Sequence, residues 1–79
     1  MTPGSRIDAI LSTLNATDVG SLDSIGEKLR EVERELRSLD QPELAERTLA
    51  TIEALGRGDL AEFKRGRAFL QSKIGHLRP

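Results

Sequence analysis

The side chains best suited to catalysis or metal binding are scarce in this sequence. It contains one histidine, His76, and no cysteine. Without cysteine there is no disulfide, no thiolate metal ligand and no cysteine nucleophile. Helical bundles that bind metals use paired Glu-x-x-His motifs, and no such motif occurs around the single histidine. We therefore predict no metal site and no catalytic residue.

Carboxylates are more numerous, but their spacing indicates a solvated surface. Glu27, Glu31 and Glu35 recur every four residues along one helix face, between Arg30 and Arg34. Catalytic acids instead need environments that separate their pKa values. The chain also lacks the glycine-rich phosphate loops, the zinc-protease motif and the serine-nucleophile motifs of common enzymes. We predict a protein that is not an enzyme and binds no cofactor.

The spacing of apolar residues predicts four helices, at about residues 5–15, 22–39, 41–56 and 59–77. Twelve β-branched residues in 79 are few for a sheet protein, and no segment alternates cleanly. The predicted buried faces, helix by helix, are Ile7, Ile10, Leu11 and Leu14; Leu22, Ile25, Leu29, Val32, Leu36 and Leu39; Leu44, Ala45, Leu49, Ile52 and Leu55; Leu60, Phe63, Leu70, Ile74 and Leu77.

Capping signals place the ends of these helices. The second helix begins after Ser21 or after Ser24, since either serine can cap it. Three residue pairs resemble capping boxes, in which a first side chain caps the helix and an acid follows three residues later. They are Ser5 and Asp8 for the first helix, Asp40 and Glu43 for the third, and Asp59 and Glu62 for the fourth. Gly56 or Gly58 ends the third helix by adopting a left-handed conformation.

Two features bear on how the predicted helices pack. Glu43 and Arg47 are spaced for an ion pair along the third helix, and so are Glu53 and Arg57. Gly66 lies inside the fourth helix, where glycine is unfavourable. Either another helix approaches closely at this glycine or the helix bends there.

Short connections between the last three helices favour antiparallel neighbours. The predicted fold is a single all-α domain over residues 1–79, a small up-down antiparallel bundle of three long helices and a shorter N-terminal one. Only 22 side chains are large and apolar, so a monomer would be marginal and a homo-oligomer is favoured. Leu29, Val32 and Leu36 lie on a heptad seam that serves either the bundle core or pairing with a second copy. We select these three residues as the assembly contact.

The net charge of −1 conceals an uneven distribution. Residues 1–56 carry six basic and eleven acidic side chains, a net charge of −5, whereas residues 57–79 carry six and two, a net charge of +4. The basic last helix either pairs with the acidic helices of its own chain or faces a partner with an acidic surface.

Phe69 is the most informative residue of the fourth helix. It is predicted to lie outside the core arc, close to Arg65 and Lys73, where an aromatic ring among cations could anchor a protein interface or stack on a base. Alternatively, the first helix or a second subunit covers the ring. We select Arg65, Phe69 and Lys73 as partner-contact residues.

The leading hypothesis is a small non-enzymatic helical module that binds another protein, as an adaptor or regulator, and self-associates. The alternative is a nucleic-acid-associated regulator that uses the basic last helix. It is disfavoured because Asp59 and Glu62 occupy the start of that helix, where a recognition helix contacts bases.

Location and source are expectations from composition. No segment is apolar enough to span a membrane or to serve as a signal peptide, so a cytoplasmic protein without membrane association is expected. Nine arginines to three lysines suit a GC-rich bacterial genome.

Overall fold

Four runs of apolar residues at helical spacing form four α-helices in this computed structural model, which describes residues 3–77 except the side chains of residues 3–5. The helices are α1 (Pro3–Asn15), α2 (Leu22–Ser38), α3 (Pro42–Gly56) and α4 (Leu60–Gly75), and a 3-10 turn, Ala16–Asp18, follows α1. No strand occurs between residues 3 and 77. The prediction of an all-α fold is confirmed, and each predicted segment coincides with one helix to within two residues at either end.

The helices surround a common core. α1 packs against α2 and α4, and α3 packs against the same two helices from the other side. The radius of gyration is 11.6 Å, matching the value of about 12 Å expected for a compact chain of this length. The core residues are Ile7, Ile10, Leu11, Leu14, Ile25, Leu29, Val32, Leu36, Ala45, Ala54, Leu55, Phe63, Leu70 and Ile74.

Two residues predicted to be buried are exposed instead. Leu22 is 64% exposed and Leu60 is 54% exposed. Each is the first residue of its helix. Helical side chains tilt towards the N-terminus, so a side chain in this position points past the end of the helix and away from the core.

The buried face of α3 also differs from the prediction. Leu44, Leu49 and Ile52 are only half-buried. The fully buried residues are Ala45, Thr48, Thr51, Ala54 and Leu55. Because α3 packs against both α2 and α4, the stripe facing them has little space, and small residues fill it. The hydroxyl groups of Thr48 and Thr51 donate to backbone carbonyl oxygens one turn earlier, at 2.8 and 2.9 Å, so neither is buried without a partner.

Side-chain caps begin two of the helices as predicted. The Ser21 hydroxyl accepts a hydrogen bond from the Ser24 backbone N–H at 3.1 Å, which decides between the two serines. The Asp59 carboxylate accepts one from the Glu62 N–H, also at 3.1 Å. α1 begins at Pro3, two residues before the predicted Ser5 cap, whose side chain lies outside the described residues.

The predicted Asp40 cap is wrong. Asp40 has a left-handed backbone, with φ of 59°, and ends α2 instead of beginning α3. Its N–H donates to the Arg37 carbonyl, and the Gln41 N–H donates to the Leu36 carbonyl at 2.9 Å. This pair of bonds is a Schellman motif, which requires a left-handed residue after the helix. Gln41 precedes α3 without a capping side-chain bond, and Pro42 occupies the first turn.

Gly66 marks a close approach between helices, one of the two outcomes expected. A Cβ atom added there would lie 3.2 Å from Thr51 Cβ and 3.3 Å from Thr51 Cγ2, and closer still to the hydroxyl oxygen. Thr51 belongs to α3, so the missing side chain allows α3 and α4 to pack closely.

Polar contacts on the surface join neighbouring helices. The Arg6 guanidinium of α1 reaches Glu35 at 3.2 Å and Ser38 at 2.6 Å on α2. The Arg37 guanidinium of α2 pairs with Glu33 and, across to α3, with Glu46 at 3.4 Å. Hydrogen bonds to Glu33 and Glu46 raise the pKa of Arg37 above its ordinary value.

Candidate protein-binding surface

Phe69 lies half-exposed on α4 between two cations. Its side chain is 40% exposed. The guanidinium carbon of Arg47 lies 5.0 Å from the ring centroid, and the Lys73 ammonium lies 5.8 Å from it. Both distances are within the range of cation–π attraction. Phe69 thus lies outside the core, and of the two proposed covers α1 does not enclose it within a single chain.

Two helices position this cluster. Lys73 follows Phe69 by four residues, one helical turn, so both side chains share a face of α4. Arg47 comes from α3 and reaches the ring across the helix–helix contact. The close approach of α3 and α4 at Gly66 and Thr51 brings these helices near enough for that reach.

An ion-pair network continues from Arg47. Its Nη2 lies 3.7 Å from Glu62 Oε1. The other carboxylate oxygen, Oε2, accepts a hydrogen bond from Arg65 Nη2 at 2.8 Å. Glu62 is thus shared between two arginines and offsets part of their positive charge. The Nε atom of Arg47 is buried and has no hydrogen-bond partner among the described residues.

Arg47 is the residue that the sequence interpretation missed. Its spacing from Glu43 suggested a pair along α3, but it pairs across to Glu62 instead. The described ion pairs include neither Glu43–Arg47 nor Glu53–Arg57. No local pattern connects Arg47 to Phe69, because the two are 22 positions apart and meet only through helix packing.

The predicted contact residues separate into different environments. Phe69 and Lys73 lie together as expected. Arg65 is 72% exposed and is bonded to Glu62, one turn earlier on the same helix. Phe69, Lys73 and Arg47, together with the adjacent Arg65, form what we call the basic aromatic surface.

The heptad seam of α2 lies in the interior. Leu29, Val32 and Leu36 are 0%, 1% and 0% exposed within a single chain. In this fold they give a second copy no surface to contact, because they are enclosed in the core where α1 and α3 pack against α2. Of the two roles considered for these residues, the structure shows burial in the bundle core. Their selection as assembly contacts is therefore corrected.

A second surface feature is an open groove between α2 and α3, named here the glycine groove. It has a volume of about 390 Å³. Its lining consists of Leu22, Asp23, Gly26, Glu27, Arg30, Ile52, Leu55 and Gly56. A Cβ atom added at Gly26 or at Gly56 would meet nothing within 4 Å, so the two glycines leave the groove open.

A third feature is a groove of about 320 Å³ between α1 and α2. The Arg6–Glu35 ion pair lies within its lining. A partner entering this groove would have to displace that pair, so it is a weaker candidate than the glycine groove.

No cluster of three or more His, Asp or Glu residues that could hold a metal ion occurs in the part of the chain that the structure describes. His76 is exposed and occupies the C-cap position of α4.

None of the described helices has both the length and the apolar composition needed to cross a bilayer.

Comparison of this chain with protein-family models, with curated proteins and with solved structures found no match.

Proposed function

We propose that this chain is a small non-enzymatic helical module, an adaptor or regulator, that binds another protein through the basic aromatic surface and also self-associates. The observation that carries the proposal is the half-exposed Phe69 ring held between Arg47 and Lys73. Large aromatic side chains and arginines are the residues most enriched in the energetic centres of protein interfaces. An arginine that lies against the ring also limits its motion, which lowers the entropy lost on binding.

The positive charge of the last helix indicates what kind of partner surface would bind it. Residues 57–79 carry a net charge of +4, although Arg78 lies outside the described residues. Lys73 is exposed and forms no ion pair with another described residue. A partner with an acidic surface around an apolar pocket would complement this arrangement.

The proposed scaffold is an up-down antiparallel bundle. The connections between α2 and α3 and between α3 and α4 contain only three residues each, 39–41 and 57–59. Connections this short favour antiparallel neighbours. Such a scaffold holds the α3 and α4 side chains of the surface in fixed relative positions, which suits binding without rearrangement. We place the protein in the cytoplasm, as the composition favours.

Nucleic-acid binding is the second candidate, because an exposed aromatic beside cations can also stack on a base. The position of Glu62 opposes it. This carboxylate lies within the same network, bonded to Arg65 and 3.7 Å from Arg47, and would repel phosphates. Protein binding is therefore the better supported of the two.

A capture experiment tests the proposal. Wild-type protein is immobilised beside Phe69→Ala and Lys73→Glu variants, and proteins retained from a native lysate are quantified by mass spectrometry. Lys64→Glu is the matched control, since it reverses a charge on the same helix away from the ring. We expect a specific set of proteins to be retained by wild type and Lys64→Glu and lost, by about tenfold, from the other two.

Two results would contradict protein binding through this surface. Equal retention by all four proteins would show that Phe69 and Lys73 are not contact residues. Release of the retained proteins by nuclease treatment would show that they bind through nucleic acid and would favour the second candidate. Circular dichroism of each variant confirms that folding is unchanged.

A further inference from the structure

The glycine groove has the volume and a partly apolar lining to accept an aromatic side chain. Leu22, Ile52 and Leu55 contribute apolar surface, and Gly26 and Gly56 contribute open space. A cavity of about 150 Å³ is sufficient for a benzene ring, and this groove is more than twice that volume, at about 390 Å³. Leu22 is 64% exposed beside it, although most leucines of the chain are buried or half-buried.

Charges at the groove are opposite to those around Phe69. Two of its three charged lining residues, Asp23 and Glu27, are acidic, and the third is Arg30. The groove belongs to α2 and α3, within the part of the chain that carries a net charge of −5. Phe69 and Lys73 belong to α4, within the part that carries +4. The chain thus presents an acidic, partly apolar groove and, on a separate surface, the half-exposed Phe69 ring with Lys73, which we call the projection.

These two surfaces do not contact each other within one chain. Phe69 lies against Arg47 and Lys73, whereas the groove is open to solvent. They share no residue, so one copy can use both at once. The groove can be filled only by another molecule, and the projection carries the complementary charge. Together they form the two halves of a self-complementary interface.

We infer that a second copy of this chain is the occupant of the glycine groove: Phe69 of one copy enters the groove of the next, and Lys73 lies against Asp23 and Glu27. The inference rests on the proposed self-association and specifies its geometry. In this contact each copy inserts its projection into one neighbour and accepts the projection of another, so the arrangement is head-to-tail. Each added copy leaves one free projection and one free groove, so assembly continues beyond a dimer or closes into a ring.

Two double variants separate the halves of this interface. The projection variant, Phe69→Ala with Lys73→Glu, retains an intact groove. The groove variant, Gly26→Leu with Glu27→Lys, retains an intact projection. An added side chain at Gly26 extends into open space and favours the helix, so this variant is expected to fold.

The measurement is molar mass by light scattering and analytical ultracentrifugation across the micromolar range, at low and at high salt. Each double variant has a matched control. Lys64→Glu reverses a charge on α4 at least one turn from Phe69, and Glu31→Lys reverses a charge on α2 one turn from Glu27. We expect wild type and both controls to form species larger than a dimer that dissociate in high salt. Each double variant alone should be monomeric, with association weakened about tenfold or more.

Mixing the two double variants gives the deciding result. The intact groove of one can accept the intact projection of the other, so we expect a 1:1 dimer that cannot extend. If the mixture stays monomeric although wild type assembles, the insertion of Phe69 into the glycine groove is overturned. If wild type stops at a dimer, two copies exchange their projections reciprocally and the head-to-tail arrangement is wrong.

The remaining outcomes separate this inference from the proposed function. If the projection variant loses assembly but the groove variant assembles like wild type, the groove is not the site, while Phe69 remains a binding residue. If wild type is monomeric at every concentration, this inference is overturned. Binding of another protein is then judged by the capture experiment alone.

Discussion

One missing side chain at Gly66 sets how closely α3 and α4 approach. The neighbouring atoms belong to Thr51, whose hydroxyl donates to the Arg47 carbonyl at 2.9 Å. Threonine is β-branched and has few rotamers, so it cannot easily move away from an added methyl group. The same close approach places Arg47 over the Phe69 ring. Gly26 offers the opposite case, a helical glycine with open space beside it.

Replacement of these two glycines by alanine should therefore have opposite effects. We expect Gly66→Ala to lower the free energy of unfolding by about 1–3 kcal/mol, because the methyl group overpacks the contact. Gly26→Ala should raise it by about 0.5–1 kcal/mol through helix propensity alone. Urea denaturation followed by circular dichroism measures both, and Thr51→Ala should recover part of the loss in Gly66→Ala. Stabilisation by both alanines would disprove the close contact.

At the scale of the elements, two helices end with the same hydrogen-bond motif but with different residues. Asp40 ends α2 with φ of 59°, and Gly58 ends α3 with φ of 74°. In each case the last turn closes through a six-residue backbone bond, Gln41 N–H to Leu36 carbonyl and Asp59 N–H to Ala54 carbonyl, both 2.9 Å. Glycine adopts this conformation without strain, whereas aspartate does so at a cost.

Exchanging the residue type at these two ends should shift stability in opposite directions. Asp40→Gly relieves the backbone strain and removes an acid from a helix C-terminus, so we expect a gain of about 0.5–1 kcal/mol. Gly58→Ala forces a side chain into the left-handed region and should cost about 1 kcal/mol. Both residues are exposed, so packing contributes little. Thermal and urea unfolding measure the two changes; a loss from Asp40→Gly would mean that its carboxylate has a stabilising role.

For the whole molecule, α1 completes the core although it is the shortest of the four helices, at 13 residues. It packs against α2 and α4, and its Leu14 is 0% exposed. Its polar contacts, Arg6 to α2 and Asn15 to Gln71 at 2.8 Å on α4, lie on the surface. Exposed polar contacts contribute little to stability, so burial of the apolar face of α1 should dominate.

Truncation of equivalent leucines tests this distribution. Leu14→Ala should lower the free energy of unfolding by about 2–5 kcal/mol, a large fraction of the stability of so small a chain. Leu60→Ala removes the same atoms from a side chain that is 54% exposed, and we expect a change of less than about 1 kcal/mol. Urea unfolding of both variants measures the difference. Equal losses would contradict the burial pattern.

The sequence by itself determined the number of helices, their approximate ends and most of the core. These properties are local: periodicity within one helix places Ile10 and Leu14 on one face, and a cap such as Ser21 or Asp59 acts over three residues. The same reasoning placed Phe69 outside the core arc of α4.

Only the tertiary structure decided which face of α3 is buried, which residue approaches Phe69, and where the apolar surface is left open. Thr48 and Thr51 face the interior because two helices pack closely against α3. Arg47 pairs with Glu62 of α4, and not with Glu43 of its own helix, because α4 lies beside it. The glycine groove likewise requires Gly26 of α2 and Gly56 of α3 to line the same space between two helices. Such choices depend on the distance between elements far apart in the chain, and helical periodicity contains no information about that distance.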